Sequence, residues 1–582
     1  MSRHGQEVSL SERPWRFYFI ALVLGLLAAA LLIRMAALQL LDSEQGQSFL
    51  QSQGDARAVR YAAIPAHRGA ILDRNGVPLA VSTPVVSLIL NPQHFDRGRL
   101  GELAQVLNES KTSLADRLAP YASRQFMYLR RNMTPEAAAA VLDMNFRGIS
   151  AERGYRRFYP AADLTAQLVG LTDLEDQGLS GLELAFDEVL RGSEGRKKYI
   201  KDRAGRAVRD VGLIQAAADG DDIRLSIDLR MQYVQFRALQ EVVETTKAKL
   251  ASAITLNPKT GEVLAVSNYP SFNPNDRSEI DSQTMRNRVF VDQYEPGSTF
   301  KALTAVAAIE TGEFTPESVI DTAPGWTVVQ GKTFKDPVDY GELTLAGVLA
   351  KSSQVGTTHI ALEIGREPLM DVLRRFGIGR SLSVGFPGES SGVLPMQNRW
   401  SDIEQATLAF GYGLTVSPAQ LAHFYSVFAN QGRQAPMTLL RQRGEPESLA
   451  PRVISEDVAE KVKLMLGSVA AKGGTGILAN VSGYQVAGKT GTVHKAAAGG
   501  YDRSRYIAWF AGIAPADSPQ LVSVVMVDEP KGESVGGGSI SAPVFADMTE
   551  SMLRVMGRAP HFGPVLEGLA ALNGYGEEGQ DG

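Results

Sequence analysis

From Phe17 to Ile33 the chain carries no charged residue, and Met35 to Leu38 extends the apolar run past Arg34. A run of about 20 such residues is long enough to cross a bilayer as a helix. Arg3, Arg13 and Arg16 precede it, and Trp15 and Tyr18 fall where an interfacial belt would lie. The positive-inside rule then predicts a cytoplasmic segment 1–16, a membrane anchor 17–38 and the bulk of the chain outside. A cleaved signal peptide is the competing reading. The run is long for one, and its small residues, Ala28-Ala29-Ala30, fall inside the run rather than after it. No later segment reaches spanning length, so a single-pass protein is expected.

At 582 residues the chain has room for about two or three domains. A formal net charge of −5 gives no electrostatic reason to expect nucleic acid. The absence of cysteine excludes disulfides, thiolate metal sites and a cysteine nucleophile. The histidines are scattered without zinc-motif spacing, so no metal and no cofactor are expected.

After the anchor, short apolar runs alternate with charged stretches to about residue 220. Asp73-Arg74-Asn75-Gly76 between apolar runs predicts a hairpin. Residues 98–145 read as helices. Asp219-Gly220 reads as a boundary between a pedestal, 39–220, and a larger α+β domain, 221–555, before a Gly-rich acidic tail, 556–582, expected to be partly disordered. In the larger domain, 224–228 reads as a strand, Leu229 to Leu250 as a helix, and Asn257 to Glu262 as a hairpin turn.

Three short motifs stand out. In Ser298-Thr299-Phe300-Lys301, Ser298 opens a helical pattern that ends at Gly312, with Lys301 one turn on and on the same face. A serine hydroxyl needs a neighbouring base, and a buried lysine of lowered pKa can be that base. Alone the pattern is weak, since Ser-x-x-Lys occurs roughly once or twice by chance in such a chain, and a capped helix with a solvated lysine reads as well. Ser352-Ser353-Gln354 supplies a hydroxyl for proton relay and an amide for a substrate backbone, or else a Ser-rich helix start. Lys489-Thr490-Gly491-Thr492 ends a predicted strand, 483–488. Its lysine and hydroxyls suit a carboxylate, and its glycine lets a substrate chain lie close; a plain turn is the alternative. Lys259-Thr260-Gly261 and Ser271-Phe272-Asn273 are look-alikes of the third and second motifs, and both precede Ser298.

In this order the motifs resemble those of the penicillin-binding proteins, Ser-x-x-Lys, then Ser-x-Asn, then Lys-Thr-Gly. Arg286-Asn287-Arg288, Tyr294 to Lys301, Gly411-Tyr412-Gly413-Leu414, Gly473-Gly474-Thr475-Gly476 and Ser541 to Phe545 are similar to division-type (FtsI-like) class B members. Upstream, Arg68-Gly69, Arg157 with Tyr159-Pro160, and Gly178 to Glu183 resemble their accessory-domain motifs. The resemblance implies a five-stranded, mostly antiparallel sheet flanked by helices, above an elongated pedestal. It implies peptidoglycan D,D-transpeptidation through a serine acyl-enzyme, with Ser298, Lys301, Ser352 and Lys489 catalytic and Gln354, Thr490, Gly491 and Thr492 binding substrate. Backbone N–H groups of Ser298 and Thr492 would form the oxyanion hole. Implied partners are stem peptides, lipid-linked nascent glycan, β-lactams, and an FtsW-type glycosyltransferase with other division proteins. A catalytically idle scaffold, a D,D-carboxypeptidase and a β-lactam-binding sensor are the rival readings. Two departures point to a specialised paralogue: Gln354 stands where the family has Asn, and Ser534-Val535 precedes Gly536-Gly537-Gly538 where an aromatic is usual. Loss of that aromatic is expected to weaken drugs with bulky apolar groups.

Overall fold

The computed structural model describes residues 14–40, 59–201, 207–278, 280–396, 400–442, 450–497 and 500–560. Arg3 and Arg13 of the expected cytoplasmic segment, and residues 561–582 of the expected tail, lie outside the described residues.

Two compact units are present, one formed by residues 1–66 with 193–218 and the other by 67–192 with 219–582. In the first, Pro14–Leu40 is a single helix. Its stretch Trp15–Leu38 has a mean hydropathy of 2.5 and exposed side chains; among the described residues it alone is long and apolar enough to cross a membrane. Strands Val59–Ile64, Gly195–Lys201 and Ala207–Gln215 form an antiparallel three-stranded sheet with Gly195–Lys201 in the middle.

The second unit is built on a five-stranded antiparallel sheet ordered Val263–Tyr269, Leu250–Leu256, Leu521–Asp528, Gly500–Ala514, Ala487–Ala497. Helices cover both faces, so the central strand Leu521–Asp528 is buried at every position and is apolar except at Ser523 and Asp528. The two faces separate by the period of two along each strand. Phe510 and Val525 pack with Leu239 of helix Leu229–Thr246 and Met548 of helix Ser541–Val555. Trp509 and Val524 belong to the core that holds Val306 of helix Lys301–Thr311, Phe424 of helix Pro418–Ala429 and Leu466 of helix Glu456–Ala470. The strand Ala487–Ala497 is left at one edge of the sheet.

The Asn75-Gly76 and Asn257–Glu262 turns form where the sequence predicts them, between antiparallel partners. Several expectations need correction. Residues 98–145 are not all helical: Met127–Met133 is a strand paired with Pro78–Leu90. Met127 and Leu129 are buried on either side of half-buried Tyr128, but Arg130, Arg131 and Asn132 are all exposed, so the period of two is too short to stand out between helices. The strand expected over 224–228 is only Ile223–Arg224, paired in parallel with Ile71–Leu72. The following helix stops at Thr246, where Lys247 turns left-handed, and Leu250 already belongs to the sheet.

The accessory motifs converge. The Glu183 carboxylate accepts from Arg68 Nε at 2.8 Å and Arg157 Nε at 2.6 Å, and Arg68 Nη1 donates to Asp187 at 2.7 Å. Arg68, Arg157 and Glu183 are almost completely buried.

Candidate active site

Ser298 lies on a 3-10 turn, Gly297–Phe300, that leads into the α-helix Lys301–Thr311; left-handed Gly312, at φ +81°, closes that helix as its position predicts. The α-helix proper therefore begins at Lys301 and not at Ser298. Gly297 has φ +55°, and a Cβ there would meet Val493 Cγ2 at 2.4 Å. A Cβ on Gly491 would come within 3.0 Å of Thr299 Cγ2 and 3.1 Å of Pro296 O. The edge strand is thus pressed against the turn that carries Ser298. The close approach at Gly491 is made to that turn. The strand expected over 483–488 is Ala487–Ala497, which stays paired with Gly500–Ala514 through a register shift between His494 and Lys495.

Lys301 is 1% exposed. Its Nζ donates to Ser352 O at 2.5 Å and Ser353 O at 3.1 Å, and stands 3.3 Å from Ser352 Oγ. These contacts join the first two motifs; Lys301 reaches Ser352 and Ser353 rather than Ser298. Burial lowers the Lys301 amine to about 7, against the opposing pull of the Asp336 carboxylate. A neutral amine has two N–H groups and one lone pair. With both N–H groups on carbonyls, the lone pair remains for a hydroxyl proton.

Ser352 holds a left-handed backbone at φ 57°, between helix Leu345–Lys351 and helix Gln354–Ile364. Ser353 caps the second helix, its Oγ accepting from Gly356 N at 2.8 Å, as the helix-start reading of this motif expects. The Ser353 cap and the first turn of that helix are held by a residue the sequence did not single out. Asp336, 2% exposed, accepts from Ser353 Oγ at 2.5 Å and from the backbone N–H of Gln354 at 2.6 Å and Val355 at 3.3 Å. A carboxylate at the first turn of a helix satisfies amides that have no partner within the helix. Among the described residues the Gln354 side-chain amide has no partner within the chain, and it stands at the first position of its helix.

Lys489 is fully buried, and its Nζ donates to Thr490 O at 3.2 Å. Burial, reinforced by repulsion from Lys301, depresses its amine well below the ordinary lysine range. Burial is the larger of the two causes, and a charged Lys301 disfavours a charged Lys489 further. Thr490 and Thr492 take the other face of the strand from Lys489. The Thr490 hydroxyl meets the Thr475 hydroxyl at 2.8 Å, and the Thr492 hydroxyl accepts from Gly537 N at 3.0 Å, which leaves its own proton to donate. Thr475 is a second residue whose part the sequence did not show. Val535 is half-buried two residues before Gly537. The look-alikes lie apart. Gly261 occupies a turn at φ +71°, and Ser271 Oγ donates to Asp163 O and Gln167.

Comparison with known proteins matches two regions of the chain. The penicillin binding protein transpeptidase domain matches residues 251–550, and the penicillin-binding protein dimerisation domain matches 63–225. The chain is 39% identical over 557 residues to a probable peptidoglycan D,D-transpeptidase, PbpC, of Pseudomonas aeruginosa, covering 95% of this chain and 97% of the relative. It is 38% identical over 562 residues to the peptidoglycan D,D-transpeptidase FtsI of Escherichia coli K12, covering 95% of this chain and 94% of the relative. A crystal structure of penicillin binding protein 3 from Mycobacterium tuberculosis, complexed with aztreonam, superposes with a TM-score of 0.67 at 29% identity, over 86% of this chain and 99% of that one. Matched along both regions and by relatives over nearly its whole length, the chain belongs to the penicillin-binding protein transpeptidases.

Proposed function

We propose that this chain is a peptidoglycan D,D-transpeptidase that acts through an acyl-enzyme on Ser298. The observation that carries the reading is Lys301: a buried amine lowered to about 7, one turn from Ser298 and bonded to the Ser352 segment. Ser298 Oγ adds to the carbonyl between two terminal D-alanines as Lys301 Nζ takes its proton. The C–N bond then breaks, and Ser352 Oγ relays a proton to the departing D-alanine. An amine of a second stem peptide attacks the ester carbon, forms the cross-link and returns the Ser298 hydroxyl. The N–H of Ser298, at the start of its turn, and that of Thr492 on the edge strand serve as the oxyanion hole. Thr490 and Thr492 receive the terminal carboxylate in the field of Lys489, and Gln354 holds the stem-peptide backbone.

A β-lactam, imitating the D-Ala-D-Ala end, leaves Ser298 acylated. The helix Pro14–Leu40 anchors the chain in the bacterial inner membrane with its N-terminus inside. Residues 39–220 form the pedestal and 221–555 the transpeptidase domain. Glycan polymerisation comes from an FtsW-type partner. The test is labelling of the detergent-solubilised full chain with a fluorescent penicillin. A transpeptidase is labelled and carries the label stably; an idle scaffold stays dark, and a β-lactamase sheds the label quickly.

Two predictions arise here. Because the Lys301 amine is lowered to about 7, its neutral, proton-accepting form dominates above that pH and falls away below it. Penicillin acylation, followed by stopped flow between pH 5 and 9, is therefore expected to plateau on the alkaline side and to fall about tenfold per pH unit on the acid side. A profile that stays flat or rises toward acid contradicts this role. Gln354→Ala is expected to slow β-lactam acylation about fivefold by removing one substrate hydrogen bond. Gln354→Asn changes the rates while leaving the fold intact, and identical rates across several β-lactams would show that the added methylene has no consequence.

A further inference from the structure

Two of the sequence motifs, Tyr294-Glu295-Pro296-Gly297 and Gly411-Tyr412-Gly413-Leu414, have no part in the chemistry above. In the fold the segments that hold them run antiparallel. Tyr294 and Val416 exchange backbone hydrogen bonds at 2.9 Å in both directions, and Gly297 N donates to Gly411 O at 3.1 Å. Between these rungs a side chain stands in for a backbone carbonyl: Glu295 Oε1 accepts from Gly413 N at 2.8 Å. The same oxygen accepts from the Tyr501 hydroxyl at 2.9 Å. Tyr501 lies on strand Gly500–Ala514, opposite Ala496 of the edge strand, and its ring meets that of Tyr412 edge-on at 5.5 Å. Burial and the Glu295 carboxylate both push the Tyr501 phenol up, so it stays a donor.

We infer that Glu295 and Tyr501 are positioning residues for acylation: their hydrogen bond braces the turn that carries Ser298 against the hairpin that carries Thr492, and so sets the gap between the two N–H groups of the oxyanion hole. The inference rests on the Ser298 acyl-enzyme reading. Ser298 follows Glu295 by three residues, and Thr492 lies on the strand that pairs with the strand of Tyr501. Among the described residues no backbone hydrogen bond joins the turn Gly297–Phe300 to the edge strand. They meet by packing, Gly297 against Val493 and Gly491 against Thr299. Steric contact stops the two from closing further but does not stop them from parting. The bond from Tyr501 to Glu295 does, because a hydrogen bond to a carboxylate is directional and about twice as strong as one between neutral groups. Gly413 N holds the carboxylate in place from the other side. Oxyanion donors act over a narrow range of distance, so a small parting of the two segments weakens them.

The test follows acylation of the full chain in detergent by a penicillin in stopped flow, separating the rate constant at saturation from the half-saturating concentration. Misfolded molecules lower the amplitude and leave that rate constant alone. Tyr501→Phe, at a half-exposed position that tolerates the change, is expected to lower the saturating rate constant about fivefold, and Glu295→Ala about thirtyfold. The half-saturating concentration is expected to stay within about twofold of the wild type, because the brace acts on the transition state. Glu295→Gln keeps an oxygen that can accept from both neighbours and is expected to recover most of the rate. Adding Tyr501→Phe to Glu295→Ala is expected to cost less than about twofold more, since the bond is already gone. In the accumulated acyl-enzyme of Tyr501→Phe, the ester C=O infrared band is expected at higher frequency than in the wild type, its carbonyl being held by weaker hydrogen bonds. Saturating rate constants within about twofold of the wild type in both single variants, an unmoved ester band, or a loss confined to the half-saturating concentration overturns the brace while leaving the Ser298 reading in place. A wild-type chain that penicillin does not acylate overturns both.

Discussion

Replacing Lys301 by methionine is expected to slow acylation of Ser298 by penicillins about 10³-fold, the usual range for loss of a positioned general base. Methionine keeps most of the volume and removes the amine, so the buried site is not left with a large void. The native amine is held by Ser352 O and Ser353 O, and it shares the interior with Lys489. Removing it also relieves the repulsion that depresses Lys489, whose amine should then titrate higher. A variant that acylates within about tenfold of the wild type would show that some other group takes the serine proton. Intact folding, read from the melting curve, accompanies the kinetic loss if the account is right.

Glu183→Ala is expected to cost about 3–5 kcal/mol of stability, because it strands two buried guanidinium groups in a site with little access to water. Arg68 and Arg157 both donate to this carboxylate, and Arg157 Nη2 already lacks a partner in the native site. Replacing Arg68, Arg157 and Glu183 together by apolar residues of similar volume should cost much less than the single change, since a buried charge network is weak net stabilisation but dangerous to break. Denaturant titration of the solubilised chain distinguishes these outcomes. A single variant within about 0.5 kcal/mol of the wild type would mean that water reaches the arginines.

The chemistry of the site was legible where it is carried by local sequence. Ser298 and Lys301 stand one turn apart in any helical segment, and Gly312 marks that helix end by its need for a left-handed backbone. The order of the motifs separated Lys489-Thr490-Gly491 from Lys259-Thr260-Gly261, which is indeed a turn. What escaped depends on contacts between distant segments. Asp336 carries no local signature; its role exists only because its loop comes to the start of the Gln354 helix. Thr475 likewise acquires meaning from Thr490, on a strand whose own length was underestimated because polar residues such as His494 and Lys495 continue it. Gly491 illustrates a further limit: a glycine announces a close approach without saying what approaches, and here it is the nucleophile's own turn. The strand Met127–Met133 was hidden by Arg130 and Arg131, adjacent and both exposed, which break the alternation of a short segment.

Intact-mass and peptide mass spectrometry of the full chain after exposure to a penicillin tests the central claim most directly. The account predicts a gain of one penicillin per chain, located on the peptide containing Ser298 and absent from Ser298→Ala. No covalent gain, or the same gain in Ser298→Ala, would contradict it.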